Sequence, residues 1–172
     1  SYTNLDINVP GERPAPQVGT LFFVDDSLLN GVIDSWSGMA TGINGYLFFQ
    51  STNRWTPDDL RVLNDSTLGI PENGVWQHAT NLTVSKGGVM MDFYSAFNCD
   101  GSVILSNGAQ WVVYSGRTNA IFTNSYGALV HVAQSLVVHS NSWIYPFSEG
   151  TNGSSVLLRV GHLNLHPGGG IN

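Results

Sequence analysis

The stretch VMMDFYSAFNCDGSVILSNGAQWVVYSGRTNAIF, residues 89–122, decides our expectation of the fold. It contains four short apolar runs separated by turn signals at residues 98–101, 106–108 and 115–117. Asparagine and glycine in such turns tolerate positive φ angles, and short runs rich in Val, Ile and aromatic residues favour strands over helices. The stretch therefore predicts an antiparallel meander of four strands.

The same pattern continues on both sides of this stretch. Apolar runs bounded by turn residues lie at 20–24, 28–33, 46–50, 75–84, 142–147 and 155–160. Residues 128–139 fit a long strand or a helix by spacing, and their β-branched content favours the strand. Residues 56–60, TPDDL, predict one short helix, because Thr can cap it, Pro suits the first position and acids suit its N-terminus. No internal repeat is recognisable in the sequence. Together these signals predict an all-β fold, an antiparallel β-sandwich or barrel of short strands with one short helix.

The 172 residues suffice for one domain with a core, and 42% of them are hydrophobic. We expect an extended, proline-rich arm over residues 1–19, a single β domain over 20–165 and a glycine-rich flexible tail over 166–172. The chain starts at Ser1 without a signal-like segment, so we expect a piece of a longer protein.

Charge is scarce, since only 10% of the residues are charged and the net charge is −6. The six basic residues are scattered singly, which argues against nucleic acid as a partner. No apolar run is long enough to span a membrane, so we expect no membrane insertion. The single cysteine, Cys99, excludes an intramolecular disulfide framework.

Motifs of common enzymes are absent from the sequence. It contains no nucleophile elbow, no zinc-protease helix and no phosphate-binding glycine loop. His162 and His166 are four residues apart but lack a third ligand, and Cys99 has no evident base nearby. We therefore predict no catalytic residue, no metal site and no cofactor.

Aromatic and amide side chains are the most informative feature that remains. Several aromatic residues lie beside turns, namely Trp55, Trp111, Tyr114, Tyr126, Trp143 and Tyr145, and Arg54 and Arg117 lie next to some of them. A sugar site needs an aromatic platform together with amide, hydroxyl and guanidinium partners. The composition therefore indicates glycan binding, although most Trp and Tyr side chains of a β protein pack in its core.

Two segments carry a resemblance to a known family. Residues 108–126, GAQWVVYSGRTNAIFTNSY, and 139–147, HSNSWIYPF, resemble the glycan-binding head of the rotavirus outer-capsid spike protein. Weaker similarities are Gly31-Val32-Ile33 and Thr52-Asn53-Arg54. The chain departs from the family pattern in the spacing of Trp111 and Tyr114, and residues 46–82 do not align. A protruding domain of another non-enveloped virus capsid has the same kind of composition.

The resemblance implies a galectin-like β-sandwich that attaches a virion to host-cell glycans. It also implies that Arg54 and Tyr126 lie at the glycan. Adding the residues beside turns, the expected glycan-binding set is Arg54, Trp55, Arg117, Tyr126 and Trp143. The expected partners are host cell-surface glycans, with neutral ones favoured by the acidic chain, and the rest of the capsid or spike protein.

The expected location is the virion surface, after synthesis in the host cytoplasm. A non-viral lectin or carbohydrate-binding module is the first alternative. A hydrolase on an all-β fold is the second, and its carboxylates would be sought at Asp25, Asp34, Asp92 or Asp100.

Overall fold

The structure is a computed structural model that describes residues 32–34, 46–48, 59–78, 80–117, 126–151 and 154–172, the first two of these as backbone only. The described residues form strands and no helix. In chain order the strands are β1 (Val32–Asp34), β2 (Tyr46–Phe48), β3 (Asp59–Leu63), β4 (Thr67–Ile70), β5 (Val75–His78), β6 (Asn81–Ser85), β7 (Gly88–Met91), β8 (Ala96–Cys99), β9 (Val103–Ser106), β10 (Gln110–Tyr114), β11 (Ala128–Val138), β12 (Trp143–Phe147), β13 (Val156–Leu165) and β14 (Gly170–Ile171).

The strands coil into a parallel β-solenoid. Every strand pair is parallel, and each strand pairs with the strand that occupies the same place one coil later. Asp59 thus lies beside Asn81, and Leu82 lies beside Val103. One coil, which we call a rung, is therefore about 21 or 22 residues long in this part of the chain. A solenoid of this kind buries a continuous core only because its rungs stack.

Each complete rung has three sides. The first side is an arm of sheet A, with strand order β1-β3-β6-β9, and the second side is sheet B, with order β14-β12-β10-β7-β4-β2. The third side consists of β5 and β8. It belongs to sheet A as well, because the long strand β11 runs along two sides: its residues 129–132 pair with β8, and its residues 136–138 pair with β9. Strand β13 pairs along β11 on both of these sides.

Alternating apolar residues in each strand explain the stacking. Leu60, Leu82, Val103 and Leu136 occupy equivalent inward positions on successive rungs, and each is fully buried. Burying one such side chain contributes roughly 1.5–3 kcal/mol. Intervening residues of the same strands face outward, so β3 and β6 have alternating buried and accessible positions. The core is thus a set of apolar columns that run along the solenoid axis.

The corner between the first side and sheet B repeats on successive rungs. Backbone turns close it at equivalent places, where Ser66 N–H donates to Leu63 O at 3.1 Å and Ala109 N–H donates to Ser106 O at 3.1 Å. Each turn contains one or two residues with positive φ, namely Asn64 and Asp65, Lys86, Asn107 and Gly108, Asn141, and Gly168. Asparagine and glycine tolerate this conformation best, which explains why they mark most of these corners.

Where β11 passes from the third side to the first, it carries a bulge between Val132 and Ser135. The opposite residue on β13 is Gly161, and a Cβ there would overlap the carbonyl oxygens of Ala133 and Gln134. A bulge bends a strand locally. The bend lets one long strand serve two sides of the solenoid.

The expected antiparallel β-sandwich or barrel is wrong, and so is the galectin-like sandwich that the resemblance implies. Of the four expected strands of residues 89–122, the first is divided into β7 and β8, the second and third correspond to β9 and β10, and the fourth lies outside the described residues. The described strands do not pair with one another as a meander. Instead β10 pairs in parallel with β7 and β12. The turn residues were correctly located at Asn107-Gly108, where both φ angles are positive, but they form a corner of a solenoid instead of a hairpin.

The expected short helix is also wrong where the structure describes it. Asp59 and Leu60 begin β3, because Leu60 and Val62 alternate into the core and stack on Leu82 and Val84. The expectation of a strand over residues 128–139 is confirmed by β11. The expected arm, residues 1–19, lies outside the described residues, and residues 166–172, the expected tail, include β14.

Candidate functional site

The outward face of sheet B carries a row of aromatic side chains. In β12 the buried residue Ile144 faces the core, so Trp143, Tyr145 and Phe147 face outward at every second position. Tyr114 faces outward at the end of β10, and the parallel register places it beside Phe147. The alternation of a strand therefore gathers residues from two rungs on one surface.

Three of these rings and the ring of Phe93, which follows β7, form a continuous row. Tyr114 and Phe147 are stacked, with ring centroids 5.3 Å apart and planes 16° apart. Tyr145 continues the row at 6.5 Å from Phe147, again with planes 16° apart. Phe93 lies 6.1 Å from Tyr114 on the other flank. We call Phe93, Tyr114, Tyr145 and Phe147 the aromatic band.

The aromatic band is open to solvent. Phe93 is 45% exposed and Phe147 is 49% exposed, which is unusual for phenylalanine in a folded domain. Tyr114 and Tyr145 are half-buried. Contiguous exposed apolar surface marks binding sites more often than single exposed residues do. The band is thus the described surface with the properties of a binding platform.

Polar groups border one end of the aromatic band. Arg117 follows Tyr114 by three residues, and its Nε lies 3.8 Å from Oε1 of Glu149, which follows Phe147 by two residues. The Arg117 side chain is largely exposed, whereas that of Glu149 is mostly covered. Asp92 directly follows β7, level with Tyr114 at the end of β10, and is a half-buried residue. The border thus offers guanidinium and carboxylate groups next to apolar rings.

A second feature lies around the next corner. A pocket of about 150 Å³ lies over the start of the third side, and its lining includes Tyr94, Tyr126, Asn73 and Val75. Tyr94 connects this pocket to the border of the band, because its hydroxyl oxygen accepts a hydrogen bond of 2.8 Å from the Arg117 N–H. The volume is below the range of typical ligand pockets, roughly 300–1,000 Å³. It suits one small group at most.

Backbone hydrogen bonds hold the residues next to Arg117 and Tyr126 close together. Gly116 N–H donates to Gly127 O at 3.0 Å, and Tyr94 N–H donates to the same oxygen at 2.8 Å. A Cβ on Gly116 would overlap the Tyr94 ring, so glycine is required for this close approach. Two of the five residues expected at the glycan are thereby held near one corner.

Trp143, another expected residue, starts the outward row of β12 but is half-buried. Its ring packs near Gly170 of β14, where a Cβ would lie 3.2 Å from the Trp143 ring. This contact gives Trp143 a structural role at the flank of the row. The remaining expected residues, Arg54 and Trp55, lie outside the described residues.

Sequence reasoning did not select Phe93, Tyr145 and Phe147 as site residues. The spacing of Trp143, Tyr145 and Phe147 at alternate positions was a usable signal, because alternate residues of a strand share a face. The partnership of Tyr114 with Phe147 was not visible, since it depends on the parallel register. Trp111, in contrast, is fully buried and packs edge to face on Phe97 with centroids 4.9 Å apart.

The described residues form neither a metal-binding cluster nor a reactive cysteine site. Among them, no group of three or more His, Cys, Asp or Glu side chains could hold a metal ion. The His166 ring lies 4.4 Å from the ring of His139, while His162 is exposed on β13. Burial raises the pKa of Cys99 to about 11, and its thiol donates to Thr80 O at 3.0 Å. A thiol protonated at neutral pH is a poor nucleophile.

The carboxylates named for a hydrolase do not form a pair among the described residues. Asp92 follows β7 and Asp100 follows β8, so the four-residue strand β8 separates them by roughly 13 Å. Paired carboxylates of glycosidases lie within about 9.5 Å of each other. The backbone of Asp34 lies in β1, and Asp25 lies outside the described residues.

Within the described residues there is no helix that could cross a membrane. Comparison of the chain with protein-family models, with curated proteins and with solved structures finds no match. The assignment of a site therefore depends on the geometry of the aromatic band and its polar border.

Proposed function

We propose that this chain is a non-catalytic glycan-binding domain and that the aromatic band is its binding platform. The proposal rests on one observation, the continuous row of four aromatic rings. Sugars present C–H faces that pack on aromatic rings and hydroxyl groups that need hydrogen-bond partners. The band supplies the rings, and Arg117, Glu149 and Asp92 supply the partners at its border.

The spacing of the rings supports a glycan of more than one sugar unit. Rings repeat both along β12, at 6.5 Å, and across from β12 to β10, at 5.3 Å. These distances follow from the strand rise of about 3.3 Å per residue and the strand separation of about 4.8 Å. A rigid sheet holds the platform in place, so little ordering entropy is lost when a ligand binds.

The charge of the border favours a neutral glycan. Arg117 is paired with Glu149, and the half-buried Asp92 adds a negative charge nearby. Among the described residues of this border, the one Arg, Arg117, is already paired with Glu149, so the border offers an anionic glycan no free cation. A shallow, exposed platform gives weak monovalent affinity, in about the millimolar range, and several copies on one particle would supply avidity.

Attachment of a virion to host cells is the biological setting that we propose for this binding. Low charge, the polar neutral composition and the partial resemblance to a viral spike head support it. The galectin-like fold of that family does not, because the chain is a solenoid. The location at the virion surface belongs to the same proposal.

Affinity electrophoresis of the purified chain tests the proposal. The chain is run through gels that contain neutral polysaccharides, and retardation is compared between the wild type, Phe147→Ala and Ile104→Ala. Ile104 is the control, because it lies between the buried residues Val103 and Leu105 of β9 and therefore faces outward on sheet A, away from the aromatic band. We expect retardation of the wild type and Ile104→Ala, and its loss in Phe147→Ala. Equal retardation of both variants would contradict the assignment of the band.

A further inference from the structure

The pocket on the outer face of the third side has an apolar floor. Val75, Ala96 and Leu129 form this floor and lie side by side on β5, β8 and β11. The residue that follows each of them in the chain is buried in the core, so the three floor residues face outward. The small side chain of Ala96 lies between two larger ones, and this difference in size creates the depression of about 150 Å³.

Polar groups line the wall of the same pocket. Asn73, Tyr94 and Tyr126 belong to its lining, and Asn73 is exposed. An amide group both donates and accepts hydrogen bonds, and a phenol hydroxyl does so as well. The pocket therefore combines a floor that favours an apolar group with a wall that suits a polar one, as small-molecule sites do.

Tyr94 has a backbone conformation that is unfavourable for an aromatic residue. Its φ angle is 59°, and it is the one aromatic residue among the described non-glycine residues with positive φ. Its N–H donates to Gly127 O at 2.8 Å, and its hydroxyl oxygen accepts from the Arg117 N–H at 2.8 Å, so both ends of the residue are held in place. Strained residues of this kind cluster at ligand-binding sites. The conformation of Tyr94 thus supports a binding role of the pocket independently of its shape.

The pocket adjoins the aromatic band at one corner of the solenoid. Phe93 belongs to the band and Tyr94 lines the pocket, and the Cα atoms of consecutive residues are about 3.8 Å apart. Asn73 N–H donates to Phe93 O at 3.0 Å, which holds the wall of the pocket against the end of the band. A ligand that lies on the band can therefore place a side group in the pocket.

The size of the pocket limits the group that it accepts. An apolar cavity of about 150 Å³ holds one benzene molecule. A whole sugar unit is larger than benzene, whereas an acetamido group, which consists of a methyl, a carbonyl and an N–H, is smaller. A single methyl group would leave most of the volume and the polar wall unused. An acetamido group matches both the floor and the wall.

We infer that the pocket binds the acetamido group of a neutral N-acetylated sugar whose ring lies at the Phe93 end of the aromatic band. The methyl group contacts the apolar floor, and the amide hydrogen-bonds with Asn73 and Tyr126. This inference rests on the proposed glycan-binding function and adds the sugar class, an N-acetylhexosamine. The acetamido group is uncharged, which agrees with the paired charges at the border of the band.

Saturation-transfer difference NMR of the full chain tests the inference, because it detects weak binding and reports which ligand protons contact the protein. The two ligands are a β-linked tetramer of N-acetylglucosamine and the matching tetramer of glucose. We expect ring protons of both tetramers to receive saturation and the acetamido methyl protons to receive the most. Titration should give a dissociation constant roughly fourfold lower for the acetylated tetramer, as burial of one methyl group predicts.

Ala96→Leu fills the pocket and leaves the aromatic band unchanged. It should remove most of the methyl signal and the fourfold preference, while ring protons of both tetramers still receive saturation and show that the variant is folded. Ala133→Leu is the matched control, because Ala133 is exposed and lies outside the pocket lining, and it should behave as the wild type does. Phe147→Ala should weaken the binding of both tetramers equally.

The outcomes separate the pocket from the band. Ring-proton signals without a dominant methyl signal in the wild type, or a methyl signal that survives in Ala96→Leu, would overturn the acetamido site and leave the band as the binding platform. No saturation of either tetramer, or wild-type binding of both by Phe147→Ala, would overturn the proposed function and this inference with it.

Discussion

Tyr114 and Phe147 stack on each other across two parallel strands, although 33 positions separate them in the chain. The contact exists because β10 and β12 occupy the same side of successive rungs and because both residues end their strands facing outward. It joins the rings of neighbouring rungs into one platform. The fold thereby creates the candidate site, since the four rings come from three successive rungs, those of β7, β10 and β12.

The packing of the core predicts that Phe97→Ala strongly lowers the free energy of unfolding. Phe97 and Trp111 are fully buried and pack edge to face inside the solenoid. Phe97→Ala removes this contact and leaves a cavity, so we expect a loss of about 3–5 kcal/mol in the free energy of unfolding. Urea unfolding followed by tryptophan fluorescence measures it. Phe93→Ala, at an exposed ring, should change stability by less than about 1 kcal/mol; equal losses in the two variants would show that the core is misassigned.

Gly127 is predicted to be irreplaceable for a steric reason. A Cβ at this position would overlap Gly116 O and Ser115 Oγ, at the corner that holds Arg117 and Tyr126. We expect Gly127→Ala to cost about 1–3 kcal/mol by thermal or urea unfolding, because backbone atoms must move. Gly150→Ala is the control, since no atom lies within 4 Å of its Cβ position, and it should stay within about 0.5 kcal/mol of the wild type.

Because the thiol of Cys99 is buried, we expect the folded chain to lose stability at alkaline pH. Burial raises the pKa of its thiol from 9.0 to about 11. Because the folded chain holds the proton more tightly than the unfolded chain, this stabilisation is complete below pH 9 and is lost as the pH rises toward 11. At pH 10.5 we expect the wild type to lose about 2 kcal/mol more than Cys99→Ala does, relative to pH 8. Urea unfolding at both pH values measures this difference, and parallel pH profiles of the two proteins would contradict it.

The sequence predicted strands better than their pairing. Residues such as Asn107 and Gly108 adopt positive φ angles, which a hairpin and a solenoid corner both require, so the turn signal does not reveal the direction of the next strand. Alternation of apolar and polar residues also suggested antiparallel sheets, because parallel sheets are usually covered on both faces. Here the outer faces are open to solvent, and alternation occurs in parallel strands.

The rung repeat is not evident in the sequence, because equivalent positions of successive rungs seldom hold the same residue type. Leu60, Leu82 and Val103 are equivalent, but only apolar character links them, and the offset grows to 33 residues between Val103 and Leu136. The candidate site was hidden for the same reason. Trp143 and Arg117 could be named from local sequence, whereas the contact of Tyr114 with Phe147 required the register.

Binding of the multivalently displayed chain to a broad glycan array, with the wild type beside Tyr114→Ala/Phe147→Ala, tests the central claim most directly. The account predicts that the wild type selects a defined set of neutral glycans and that the double variant, still folded by circular dichroism, loses the whole signal. Selective binding that survives in the double variant, or a blank array for the wild type at high display density, would contradict the claim that the aromatic band binds glycans.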